Sequence, residues 1–218
     1  MSLRKVSFEK GEYYHVYNRG NSKQTIFHDK PDYDRFLKLL FLSNSEESFK
    51  IYLIGNNVYN FDRGKNLVSI GAYCLMANHF HLLVTPNTEG GISKFMQKLS
   101  TGYSMYYNKK YDRTGTLFEG KFKSEHADDD NYLKYLFSYI HLNPIKLIDK
   151  SWKEHGIQDI PSAVKYLNQY SPSSYLDYLG YDRVQNKIIN PKEFPEYFPN
   201  KESFKEEIFG WLSLKKLP

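Results

Sequence analysis

The sequence predicts an α+β fold, an antiparallel sheet with packed helices, and three observations carry that expectation. In Met76-Ala77-Asn78-His79-Phe80-His81-Leu82-Leu83-Val84, His79 and His81 alternate with Phe80, Leu82 and Val84. This is the two-residue period of a strand with one apolar face. Ile92, Phe95, Met96, Leu99, Tyr103 and Tyr106 instead recur every three or four residues, as do Tyr132, Leu133, Leu136, Phe137 and Ile140, the period of a buried helix face. Read along the chain, the elements run strand, helix, strand, strand, helix, strand, helix, which is the ferredoxin-like, split βαβ plan.

Each element has its own signal. The first strand is expected over Tyr13 to Asn18, closed by Gly20. The first helix should start near Asp32 as N-cap and bury Phe36, Leu37, Leu39, Leu40 and Phe41. The second strand is either Lys50 to Ile54 or Val68 to Leu75, with Gly55 to Asn66 as a loop, and His79 to Thr85 is the third. The turn-rich Pro86 to Gly91 leads into the second long helix, and Phe122 to Ala127 supplies a fourth strand. A helix over Asp130 to Leu142 follows, with Asp128, Asp129 and Asp130 at its dipole-favoured start and Pro144 at its end.

After Ile148 the character changes to polar and aromatic residues around Pro161 and Pro172, then three prolines between Asn190 and Pro199. A terminal helix from Lys201 to about Leu212 should place Phe204, Ile208, Phe209 and Leu212 on an apolar face. We divide the chain into a main domain, residues 1–148, and a mostly helical C-terminal extension, residues 149–218, which the sequence leaves free to cover the sheet, clamp a ligand or mediate dimerisation.

A chain of 218 residues is long enough for one sizeable core plus an appendage. The net charge of +5 does not by itself diagnose a nucleic-acid partner, but between Lys94 and Lys123 seven basic residues face only Asp112 and Glu119. Tyr103, Tyr106, Tyr107, Tyr111, Phe118 and Phe122 are interleaved with those charges. Aromatics at this spacing belong mainly to a core-facing stripe, so the cations are the better candidates for phosphate contacts. Cys74 is the single cysteine, which excludes an intrachain disulfide and an all-cysteine metal site. With no apolar run of about 18 residues, the expected protein is soluble and cytoplasmic, with no membrane partner.

Two constellations carry chemistry. His79 and His81 on one strand face can grip one metal ion, although two polar residues on a half-solvated face read equally well from the pair alone. In Tyr139-Ile140-His141-Leu142-Asn143-Pro144, Tyr139 and Asn143 lie one turn apart, placing a hydroxyl and an amide oxygen on one helix face.

Asn78-His79-Phe80-His81-Leu82-Leu83, Gly115-Thr116-Leu117-Phe118-Glu119-Gly120-Lys121-Phe122-Lys123-Ser124 and Tyr139-Ile140-His141-Leu142-Asn143-Pro144, in that order and spacing, resemble the single-tyrosine transposases of the HUH endonuclease superfamily, close to the REP-associated tyrosine transposases of bacteria. The resemblance runs from Tyr13 to about Ile148. Phe118 stands where relatives often have Trp, and Lys146 where many have Arg; neither touches the expected chemistry. The resemblance implies that His79, His81 and Asn143 bind a divalent metal and that Tyr139 attacks a DNA phosphodiester. It further implies a single-stranded DNA substrate beside a hairpin, cut and rejoined through a 5′-phosphotyrosine. Mg²⁺ or Mn²⁺ suits an amide oxygen, phosphate oxygens and water, with Mn²⁺ tolerating two imidazoles better.

Arg19, Arg113, Lys121, Lys123 and Lys146 are candidate DNA contacts. His15, His28, His126, His141 and His155 are read as structural or exposed, with His126 placed to approach the site from the fourth strand, and Glu119 as a surface residue. A non-catalytic DNA-binding module and a metal-dependent phosphoester hydrolase are the competing functions. Monomer or homodimer is left open, as are the target sequence and the use of Tyr139 within or between subunits.

Overall fold

The computed structural model describes residues 7–55 and 57–214. Its strands are β1 (Tyr14–Arg19), β2 (Val68–Met76), β3 (His79–Pro86) and β4 (Lys123–His126). Its helices are α1 (Lys30–Ser43), α2 (Ile51–Ile54), α3 (Gly91–Lys110), α4 (Asp130–Leu142), α5 (Trp152–His155), α6 (Ile160–Gln169), α7 (Tyr175–Tyr178) and α8 (Lys201–Ser213). The strand order is β2-β3-β1-β4, with every neighbouring pair antiparallel. This is the split βαβ arrangement that the element order predicts.

Strand alternation divides the sheet into two chemically different faces. Tyr14, Val16, Tyr73, Leu75, Phe80, Leu82 and Val84 join α1 and α3 in the main core. Phe36, Phe80 and Tyr103 sit at its centre, with Phe36 4.9 Å from each of the other two ring centroids. Burying each such ring contributes on the order of 1.5–3 kcal/mol, and edge-to-face contact adds about 0.5–1.5 kcal/mol. On the opposite face, Ala72, Cys74, Met76 and Leu83 pack under Leu133, Leu136, Phe137 and Ile140 of α4.

Several expected boundaries move for local reasons. Asp29, not Asp32, caps α1, its carboxylate accepting from Asp32 N at 3.1 Å. Asp32 is instead buried, accepting hydrogen bonds from Tyr106, Tyr111 and Lys110. Of the two segments proposed for the second strand, Val68–Met76 is the strand and Ile51–Ile54 a single helical turn; within the loop expected over 55–66, residue 56 lies outside the described residues. Pro144 does mark the end of α4, which closes at Leu142 as expected, and it sits in the first turn of the 3₁₀ segment that follows, Asn143–Leu147, where its missing N–H costs nothing. Phe209, expected on the apolar face of α8, is 55% exposed, while Phe204, Ile208 and Leu212 are buried.

Residues beyond 148 continue onto the sheet. Leu75 N donates to Pro172 O at 2.9 Å and Ser174 N to Tyr73 O at 3.0 Å, so the segment around Ser173 lies along the outer edge of β2. An unpaired strand edge is thereby covered. Arg183 fastens this segment, donating to both carboxylate oxygens of Asp177 and to Ser173 O. At Gly71, beside a bulge in β2, an added Cβ would lie 2.9 Å from the Phe194 ring, so only glycine admits that ring. A second core, built from Leu142, Ile145, Trp152, Leu167, Tyr175, Phe204 and Leu212, ties the end of α4 to α5–α8.

Candidate active site

The antiparallel register sets Tyr17 opposite His81, Arg19 opposite His79 and His15 opposite Glu125. Since directly opposed residues share a face, these side chains form one polar cluster on the α4 side of the sheet. The His79 and His81 rings lie 5.0 Å apart, nearly perpendicular. From α4, Tyr139 meets the His81 ring edge-to-face at 5.6 Å and the His15 ring at 5.8 Å. The structure therefore brings Tyr139 to His81, and through it to the histidine pair, a juxtaposition that sequence spacing left unresolved.

The hydrogen bonds dispose both imidazoles alike. Asn78 Nδ2 donates to Lys23 O at 3.2 Å, which turns Oδ1 toward His79 Nδ1 at 2.6 Å. An amide oxygen only accepts, so His79 carries its proton on Nδ1 and presents the Nε2 lone pair. His81 Nδ1 and His15 Nε2 are 2.9 Å apart, and His15 Nδ1 faces the Glu125 carboxylate at 3.8 Å. A carboxylate favours an N–H at that position, so His15 Nε2 accepts from His81 Nδ1 and the His81 Nε2 lone pair is likewise left available. Burial, then the charges of Lys146 and Arg19, lowers His79 to about 4. Burial also takes His81 well below the usual imidazole range, helped by His15 and His79, so both rings are neutral at pH 7. Such oriented neutral imidazoles are what metal ligation requires.

Asn143 supplies the third feature. Its Nδ2 donates to Tyr139 O at 2.8 Å, while Oδ1 is buried with no hydrogen-bond partner in a residue only 1% exposed. Burying such an oxygen unpaired costs about 1–3 kcal/mol, a cost that a bound cation removes. Two nitrogen lone pairs and one orphaned amide oxygen fit a divalent ion. Among the described residues no group of three His, Cys, Asp or Glu is arranged to hold a metal, and the set here depends on the amide. Burial raises the Tyr139 pKa; the Asn143 amide opposes this, and Glu125 and Cys74 add to it.

The candidate DNA contacts divide. Lys146 is half-buried near the Tyr139 ring, 5.9 Å from its centroid. Arg19 lies beside His79 but is held by both oxygens of Glu119, which is a surface residue as expected and also an ion-pair partner. Lys123, opposite Tyr17, shares the site face, whereas Lys121 lines a groove of about 490 Å³ against Met96 and Ser100 of α3. Arg113 stands over Tyr107 in the main core, on the far side of the sheet. His126 does not approach the site: it pairs with Tyr14 in register and bonds Glu12 at 2.7 Å. His15, read as structural or exposed, is inside the cluster. Its place in the strand parity was readable, but the cross-strand register that sets it against His81 was not.

Residues 10–143, more than half of the chain, match the family model described as transposase, IS200 like. No curated protein matches the sequence. A solved structure of a REP-associated tyrosine transposase bound to a REP hairpin is similar with a TM-score of 0.53 at 11% identity, covering 85% of this chain and 90% of that one, which shows the shared fold. With the family matched across the sheet, the histidine pair and the Tyr139 helix, the chain belongs to the IS200-like transposases, proteins that act on DNA.

Proposed function

We propose that the chain is a metal-dependent single-stranded DNA endonuclease and strand transferase working through a covalent 5′-phosphotyrosine, with residues 1–148 as the catalytic unit and 149–218 as an extension. The supporting observation is that Tyr139 meets His81 on the α4 side of the sheet, with His79 beside His81, a free Nε2 lone pair on each imidazole, and the orphaned Asn143 oxygen one helical turn from Tyr139. Tyr139 Oη attacks the phosphorus as the phenol proton leaves. The new Oη–P bond replaces the bond to the 3′-oxygen, which departs with a proton as a 3′-hydroxyl. Reversal by another 3′-hydroxyl rejoins strands without external energy, because the phosphoester linkage is conserved.

His79, His81 and Asn143 would hold Mg²⁺ or Mn²⁺. When bound, the ion supplies Lewis-acid polarisation of the phosphate. An ordinary phenol, with a pKa of roughly 10, is a weak nucleophile, and burial raises that of Tyr139 further, so a nearby positive charge must favour the phenolate. The REP hairpin bound by the similar transposase supports a single strand next to a hairpin as substrate, with Arg19, Lys123 and Lys146, the candidates on the site face, as backbone contacts.

The test is incubation with labelled single-stranded DNA from the flanks of the chain's own gene, resolved under denaturing conditions. A labelled protein band supports the covalent route. Cut DNA with no adduct would indicate a hydrolase, and binding without cutting a non-catalytic module; either outcome overturns the proposal.

A further inference from the structure

We propose that Lys153 of the extension, together with Lys146, forms the binding site for the non-bridging oxygens of the DNA phosphodiester over Tyr139, so that residues beyond 148 complete the active site. This rests on the reading of Tyr139 as nucleophile.

Lys153 Nζ lies 4.0 Å from the Tyr139 ring centroid and Lys146 Nζ 5.9 Å. Both side chains are half-buried, and among the described residues neither has a carboxylate within ion-pair distance. Glu125, the carboxylate that acts on Tyr139, is engaged by the Tyr17 and Tyr132 hydroxyls. Two partly desolvated ammonium groups converging without a counter-ion are unfavourable. Burial, and then Lys146, brings Lys153 down to about 8, the mark of that unfavourable charge. A phosphodiester supplies the missing anion, and its two non-bridging oxygens can each face one ammonium.

Position is secured from the extension's own core. Trp152 is 2% exposed and packed in the cluster that includes Leu142 and Ile145. The adjacent Lys153 is thereby held at the end of α4 rather than swinging in solvent. Charge placed there acts on both the phosphate and the developing phenolate, whereas a purely structural lysine stacked on the ring would act on neither.

The experiment measures binding of a labelled oligothymidylate to the full chain across a salt series, in chelator so that cleavage does not run. For single strands the logarithmic slope is about 0.7 per neutralised phosphate. Because the two ammonium groups share one phosphate, the Lys146→Met, Lys153→Met double variant should flatten it by about 0.7 and Lys153→Met by a part of that, with Lys153→Arg retaining the wild-type slope. The exposed Lys165→Met is the control and should change nothing. As a second measurement on the unaltered protein, lysine acetylation read by mass spectrometry should show Lys146 and Lys153 protected by the oligonucleotide. An unchanged slope in the folded double variant, or equal acetylation with and without DNA, overturns the proposal. Neither readout needs the tyrosyl adduct, so failure here is distinguishable from failure of the covalent mechanism.

Discussion

Two cationic regions of this molecule look alike in sequence and differ in structure. Between Lys94 and Lys123, the densest basic stretch, much of the charge is already engaged. Lys110 meets Asp29 and Asp32, and Lys98 donates to the carbonyls of Ser45 and Glu47. Tyr103 and Tyr107 of the same stretch are buried and serve the core. Around Tyr139, only Lys146 and Lys153 stand near the ring, yet neither has an acidic partner among the described residues. A count of basic residues measures local density; the field at a site depends on which cations are left unneutralised after folding.

The sharpest way to break this comparison is at the tyrosine itself. Tyr139→Phe should abolish cleavage and adduct while leaving folding and DNA binding nearly intact, because it removes only the attacking oxygen. A denaturing gel and a binding curve on the same preparation check it. Adduct at wild-type level would move the nucleophile elsewhere and strip the lysine pair near Tyr139 of its significance.

Next in size are the imidazoles. His79→Ala or His81→Ala should lower Mn²⁺ affinity by on the order of 10-fold or more, since losing a ligand should cost at least what outer-shell changes cost. Titration calorimetry with Mn²⁺ alone measures it, and chelator should stop cleavage until Mg²⁺ or Mn²⁺ is restored. Undiminished affinity in both variants returns the pair to being polar residues on a strand.

How far these residues could be read in advance follows from range. The strand parity of His79 to Val84 and the helix over Asp130 to Leu142 depend on neighbours a few residues away, and both match the structure. Choosing Val68–Met76 over Ile51–Ile54 required knowing that β2 would be buried along its whole length. His15 and Lys153 escaped for a different reason. One reaches the site through cross-strand register and the other through packing of Trp152, and neither relation leaves a periodic trace in sequence.

A smaller effect is expected from pH. His141 is fully buried, bonded to Ser174 Oγ at 2.7 Å, and lowered by burial to about 3. Unfolding returns it to about 6.5, so the unfolded state takes up a proton that the folded state refuses. Stability from this group is present above about pH 6.5 and is lost as pH falls toward 3. Thermal unfolding between pH 7 and 4 should show Tm falling with acid, and less steeply in His141→Asn. Identical slopes would remove His141 from the acid response, while leaving His15, also lowered by burial, as a candidate.

The smallest predicted change separates Lys121 from Lys123, two residues that the sequence treats as a pair. Lys123 is opposite Tyr17 on the face that carries His81, while Lys121 lines the groove beside α3. A single strand following the site face can meet Lys123 without meeting Lys121. Binding should favour a single strand with a hairpin over the paired duplex and weaken as salt rises. Lys123→Ala should flatten the logarithmic salt slope by about 0.7, with Lys121→Ala leaving it unchanged and the double variant no flatter than the first. A double variant flatter by about 1.4 would show that the bound DNA crosses the β4 edge and reaches both faces. No change in any variant would leave the backbone contacts to Arg19 and to Lys146 and Lys153 beside the Tyr139 ring. That result would sharpen the contrast between the two cationic regions, because the stretch richest in basic residues would then contribute none of the phosphate contacts tested.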